Sequence, residues 1–354
     1  MHKMTRFLLS LLAVAAMAAG CSKSDGTDPA PAPSPQGGTP IAVHGKALTV
    51  ESKAPFEGTI QGGNTLKALV LGSQTTGDYT TAYCKGTMTF NDESSSVGYD
   101  AEGFSGTKAY PAGGSNLFLA GLYPIDGQFT SQNWTVNGTT AAYTFTGVED
   151  VMSAPQVTTT KTQADAGTYQ TLAFSHQLTL LEVQVVAEDA SAATAWGKLQ
   201  EVKLTGTFGN VATVTLATGA AALSGTVEGW PVYDATAHTA ITGADISIPA
   251  ATDHSTTAKI KESATKVGYT MVAPITATGT GDFMVAVTTL PAGGSSTTKS
   301  GISIDLKDTA GSTFTGDTKG KKFVITLIFR AKDIQAVGSV TDWVDGGSAD
   351  ADVD

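Results

Sequence analysis

Apolar residues in this chain come in short runs closed by turn residues, and no long stretch repeats them at helical spacing, so strands are the only regular structure the sequence can build at length. Lys322 to Arg330 is the strongest such run. Leu66 to Leu71, Thr87 to Phe90, Leu117 to Pro124, Lys203 to Phe208, Ala212 to Leu216, Phe283 to Thr288 and Gly301 to Leu306 repeat the pattern. Leu181, Val183 and Val185 alternate with Glu182 and Gln184, which predicts one buried and one wet face. Asn133 to Thr139 and Ala142 to Thr146 read as a hairpin turning at Asn137-Gly138. Asp189 to Trp196 is short and Ala-rich and reads as a connecting turn. The composition agrees: Gly numbers 40 and charged residues are 15%, poor helix material but suited to strands and tight turns.

The first residues are of another kind. His2, Lys3 and Arg6 precede an apolar run from Phe7 to Ala19, then Ala18-Ala19-Gly20-Cys21. The run is shorter than the roughly 20 residues a bilayer core requires, and it ends in small residues as a cleaved signal does. Residues 1–20 are therefore read as a signal peptide and Cys21 as the lipidated first residue of a mature lipoprotein, anchored to the outer membrane by its acyl chains (a palmitate among them). Residues 21–40 are polar, carry alternating prolines from Pro29 to Pro35, and read as an extended tether. Polar residues from Asp150 to Thr168 divide the remainder into two β-sandwiches, 41–166 and 167–354.

The chemistry the sequence lacks is informative. The formal charge of −11 argues against a nucleic-acid partner. With Cys21 acylated, Cys84 has no cysteine to pair with, and its strand-like surroundings predict a buried, inert thiol. His44, His176, His238 and His254 are scattered without ligand spacing, and no nucleophile elbow, zinc helix or phosphate loop is present. Asp350, Asp352 and Asp354 open like a calcium loop but lack its glycine turn and distal glutamate. We therefore expect no enzyme, no cofactor and no metal site. Asp350, Asp352 and Asp354 also alternate with Ala349, Ala351 and Val353, a strand pattern with one weakly apolar face. Exposed Trp134, Trp230 or Trp343 could stack on a sugar, although packing is the commoner role of tryptophan. Asp308-Thr309-Ala310 resembles an O-glycosylation acceptor at Thr309.

Four segments together resemble the fimbrillins, the lipoprotein-derived type V pilins of Bacteroidales: Leu122 to Pro124, Gly147 to Ala154, Leu172 to Val185 with its Phe174-Ser-His176, and Ile334 to Gly347 with Val340 to Trp343. The resemblance implies an all-β chain of two tandem transthyretin-like β-sandwich domains, exported as an outer-membrane lipoprotein and displayed on the cell surface in a fimbrium. It implies that in stalk subunits a protease removes the N-terminal segment with its first strand. A neighbouring subunit's C-terminal strand then fills the opened groove, the fimbria supports adhesion, and the partners are other fimbrial subunits and surface ligands. Ile334, Ala336, Val337, Val340 and Trp343, within 334–354, are the donor-strand candidates. The best-known members are trimmed at arginine, whereas the mature chain has only Arg330, so Lys46 and Lys53 are the processing candidates. An untrimmed lipoprotein would instead be a non-polymerising anchor or a monomeric binder of a glycan or host ligand.

Overall fold

Leu66 to Leu71 is apolar on both strand faces because both faces of its sheet are covered, as continuous apolar strand runs generally imply. In the computed structural model, which describes residues 38–39, 41, 43–47, 52–53, 56–57, 66–90, 99–100, 109–125, 133–278, 281–331 and 333–342, this run is the Leu66–Ser73 strand of a seven-stranded sheet. The spatial order is His44–Ala47, Thr171–His176, Met152–Thr159, Leu117–Tyr123, Leu66–Ser73, Cys84–Phe90 and Tyr99–Asp100. Neighbours run antiparallel except for the first two strands, which are parallel. Ala68 and Val70 join Leu117, Leu119, Tyr123, Met152 and Phe174 in a core on one face, while Leu71, Ala120 and Leu122 pack on the other. Cys84 is buried and forms no disulfide among the described residues, and its sulfur occupies the space that a Cβ on the facing Gly72 would need. The signal, most of the tether, Trp343 and the aspartate tail lie outside the described residues.

The second of these faces is covered by a four-stranded sheet made of two hairpins, Thr135–Asn137 with Thr140–Thr144 and Val211–Thr215 with Ala220–Ser224. The expected first hairpin forms, but its turn is Gly138-Thr139 rather than Asn137-Gly138: Asn137 pairs with Thr140, and Gly138 supplies the positive φ at the first central position. Val211–Thr215 pairs along Thr140–Thr144, and Thr171–His176 belongs to the first sheet. Strands on either side of the expected 166/167 division thus share sheets. Within the polar stretch that suggested the division, Met152–Thr159 is a strand and Lys161–Asp165 a helix, closed by a reciprocal cap between Thr160 and Gln163.

The remaining strands form a ten-stranded sheet. Its order is Val227–Pro231, Lys198–Phe208, Phe283–Leu290, Thr297–Lys307, Ile334–Asp342, Lys321–Phe329, Thr179–Ala187, Thr265–Val272 and Tyr233–Asp234, with Thr242–Ser247 beside Lys198–Phe208. Its two ends, Val227–Pro231 and Tyr233–Asp234, are separated by Val232 alone, so the sheet must roll until its edges meet. The roll encloses Leu181, Val183, Val185, Val285, Val287, Ile304, Phe323, Ile325, Leu327 and Phe329. A smaller cluster, Val186, Ile328 and Val337, lies on the other face under Ala251 and Ile260. The expected connecting turn at Asp189 to Trp196 is instead an α-helix, Ala190–Trp196. Its Asp189 side chain caps the Ala192 N–H, a start signal that outweighs the segment's shortness.

One expected wet position is not wet. Glu182, on the outer side of Thr179–Ala187, is 7% exposed. It lies between Lys266 at 2.5 Å and Lys322 at 3.2 Å, one from each flanking strand. Burial pushes its carboxyl upward, but the attraction of Lys322 and Lys266 and the hydrogen bonds from both outweigh this, and the group is held below the ordinary glutamate value. A carboxyl lowered in the folded state stabilises the fold above its unfolded pKa, and this contribution is lost as pH falls through the folded value. Glu182→Gln should lower stability by about 2 kcal/mol at neutral pH. It should also flatten the acid-side loss, as read from urea melts at about pH 7 and about pH 3; a mutant with the wild-type acid slope would contradict this account.

Candidate assembly interface

The first sheet begins with His44–Ala47, which lies at one end of the strand order and, among the described residues, pairs only with Thr171–Phe174, in parallel. The residues before it are seated in the core: Ile41 is 3% exposed and Val43 fully buried, both packed with Tyr110, Ala164, Leu172 and Phe174. Thr39 tethers the segment by accepting the Tyr110 N–H at 2.9 Å and donating its hydroxyl to Asp165. Residues 39–47 therefore both complete the core and pair with the sheet edge. Without them Thr171–Phe174 would present unpaired backbone beside two empty aliphatic sockets, the combination that recruits another strand. Lys46 sits within this strand opposite Ala173. Lys53 belongs to the short Ser52–Lys53 strand paired with Phe56–Glu57. A cut at either lysine falls between Ile41 and Val43 and the rest of the body, and so severs both residues from it.

The structure places the donor candidates elsewhere than expected of a free strand. Ile334–Asp342 is a central strand of the rolled sheet, with nine antiparallel pairs to Lys321–Phe329 and four parallel pairs to Thr297–Lys307. Ile334, Ala336 and Val340 point into the roll and Val337 into the outer cluster, each 5% exposed or less. These four residues are core of their own chain, because both backbone edges and both faces of the strand are already engaged; Trp343 lies outside the described residues. Arg330 follows the Lys321–Phe329 strand rather than lying inside it. Its guanidinium meets Glu188 and Gln335, its backbone N–H donates to Asp333, and its carbonyl accepts from the Trp196 indole. Cutting there would sever two central strands from each other.

Between the two sheet bodies runs a buried polar junction that sequence reasoning missed. Glu149 and Asp150 are both fully buried. Asp150 lies 2.8 Å from His176, and Glu149 accepts from the N–H and hydroxyl of Thr146. The Tyr233 hydroxyl donates to the Thr146 carbonyl at 2.8 Å, and the Met271 N–H donates to Gly147 at 2.8 Å. Gly147 is required here: its φ is +109°, and a Cβ would come within 2.5 Å of the Trp230 indole nitrogen. Burial holds the Tyr123 hydroxyl far above the ordinary tyrosine value, with Asp150, Tyr143 and Tyr269 adding to the effect. The only trace of this junction in the sequence was adjacent Glu149-Asp150 within an otherwise uncharged stretch.

The other singled-out residues do not converge. His44, His176 and His238 occupy the edge strand, the junction and a contact with Tyr269, while His254 is exposed. Among the described residues no three metal-binding side chains gather, and no helix is long and apolar enough to cross a membrane. Trp134 and Trp230 are buried, donating their indole N–H to Pro124 and Met271, so neither offers a sugar-stacking face. Thr309 is exposed on a tight turn in which Asp308 accepts the N–H groups of Ala310 and Ser312.

Solved structures share the fold. A proposed cell adhesion protein from Bacteroides uniformis ATCC 8492 aligns with a TM-score of 0.52 and 14% identity over 86% of this chain and 98% of its own. A second, from Bacteroides ovatus ATCC 8483, gives 0.51 and 15% over 86% and 98%. A fimbrial protein from Bacteroides vulgatus ATCC 8482 gives 0.48 and 13% over 85% and 99%. None of the curated proteins matches the chain. The family model described as fimbrillin-like matches residues 52–343, which is most of the chain and spans both sheet bodies and their junction, and the protein belongs to that family.

Proposed function

We propose that this protein is a structural, non-enzymatic subunit of cell-surface fimbriae, exported as a lipoprotein through Cys21, that receives an extended strand from a neighbouring subunit in place of its own residues 38–47. The observation that carries this reading is the N-terminal segment itself: a parallel strand at the end of the sheet, preceded by Ile41 and Val43, both inside the core. A strand at the end of a sheet can leave without breaking the sheet in two, and the two side chains fill a specific space, so the segment serves as a removable plug. Proteolysis at Lys46 or Lys53 would release it. The incoming strand must then present aliphatic side chains at alternate positions, since successive strand residues face opposite sides. In this arrangement Ile334–Asp342 stays in its own sheet. Contact between an edge on one subunit and a strand from another is head-to-tail and yields an open filament, not a closed dimer.

An uncleaved copy keeps its acylated Cys21 and its plug, and so supports the anchor role at the base of a fimbria. The N-terminal residue of protein from intact cell surfaces, determined by mass spectrometry, separates the two roles. A terminus just after Lys46 or Lys53 in material of very high molecular weight is expected for a stalk subunit, and acylated Cys21 on every copy would refute it.

The plug also makes a stability prediction. Ile41→Ala should cost about 2–3 kcal/mol in the untrimmed chain, the usual penalty for truncating a buried isoleucine. Urea melts of the wild-type and Ile41→Ala untrimmed chains test this, and equal stabilities of the two would show that residue 41 does not fill the groove.

A further inference from the structure

The position of Ile334–Asp342 suggests what its burial is for. A strand that merely closed a sheet could sit at an edge, yet this one lies between Thr297–Lys307 and Lys321–Phe329 and is bonded to both. Its direction matters as much as its place. It runs parallel to Thr297–Lys307 and antiparallel to Lys321–Phe329, which is itself parallel to Thr179–Ala187 over eight pairs. The chain leaves the strand at Asp342, beside Lys321. The strand's other end is fixed: Arg330 is held by Glu188, Gln335 and the Trp196 indole, and Ile334 donates its N–H to the Asp333 side chain.

We infer that Ile334–Asp342 is a mechanical clamp against tension that enters the chain at its Asp342 end. Tension applied there along the strand axis shears the nine antiparallel and four parallel pairs together, because no ladder bond can be reached before the others are loaded. The side chains resist in the same direction: Ile334, Ala336 and Val340 would have to slide past Ile304, Phe323, Ile325 and Leu327 in a close-packed interior. The same bonds pulled apart from one end would break one at a time. The inference extends the fimbrial reading, since it rests on subunits that transmit force to one another. The clamp, however, is a property of a single folded chain.

Its test uses the full chain, tethered for single-molecule force spectroscopy through pairs of handles on the same sheet. With handles at Ser295, an exposed loop residue at the start of Thr297–Lys307, and at the C-terminus, the load is shear. With handles at Lys319, just before Lys321–Phe329, and at the C-terminus, the load falls on Lys321 and Asp342 and unzips the same strand from its nine-pair antiparallel ladder. Forced unfolding reports the barrier along the pulled direction, so the shear pair should rupture at the higher peak force at equal pulling speed. Equal forces, or a higher force in the unzipping pair, would overturn the clamp. Neither result depends on polymerisation: a chain that never assembles can still show the clamp, and a filament of chains without this asymmetry would leave the fimbrial reading standing and remove this one.

Discussion

Every β-sheet must dispose of its edges, because an unpaired row of backbone donors and acceptors is costly when buried and adhesive when exposed. The rolled sheet disposes of both edges at once, with Val232 alone separating the strands at its two ends. The seven-stranded sheet instead closes one end with His44–Ala47, backed by Ile41 and Val43 in the core. One body is thus finished by a strand order whose two ends are one residue apart, and the other by an N-terminal segment. Under the proposed function this asymmetry is what lets one chain fold with its own segment in place and later accept another in its stead.

The junction makes the two halves one mechanical unit. Phe145 packs edge-on against Trp230, Tyr233 and Met271 bond to the backbone at Thr146 and Gly147, and the Asp150–His176 pair ties the start of Met152–Thr159 to the end of Thr171–His176. The hairpin Val211–Thr215 with Ala220–Ser224 adds a second link, since it leaves the rolled sheet after Phe208 and completes the cover of the other. A linker made only of Asp150 to Thr168 would have been a hinge. Two crossings of the chain, the bonds from Tyr233 and Met271 to Thr146 and Gly147, and a glycine under an indole leave little freedom to bend.

How much of this could be read in the residues depends on whether the determining contact is local. Alternation and apolar runs disclosed the strands, since a strand's burial pattern is written along itself, and the burial of Cys84 followed from the strand around it. Asp189 escaped notice as a cap because the seven-residue helix behind it carries no periodic face of its own. Glu182 was assigned to solvent because alternation reveals which face a residue takes but not what lies across from it, and Lys266 and Lys322 arrive from strands 84 and 140 residues away. The order of strands within a sheet is likewise non-local. Val211 to Thr215 reads as an ordinary strand of its own region, and nothing in its five residues reveals that it crosses to pair with Thr140–Thr144.

The assembly site shows the same limit most sharply. From sequence, Ile334 to Trp343 is a late apolar segment, and such a segment serves equally well as a donor or as core. Side-chain pattern cannot decide between them, since a donor strand and a core strand need the same alternation to fill the same kind of groove. Position in the sheet separates them: Ile334–Asp342 is bonded on both sides, to Lys321–Phe329 over nine pairs and to Thr297–Lys307 over four, whereas His44–Ala47 stands at the end of its sheet and, among the described residues, pairs with Thr171–Phe174 alone. On the strand-exchange reading proposed above, a strand bonded along both edges is the one kept, and a strand at the end of a sheet is the one that can be surrendered.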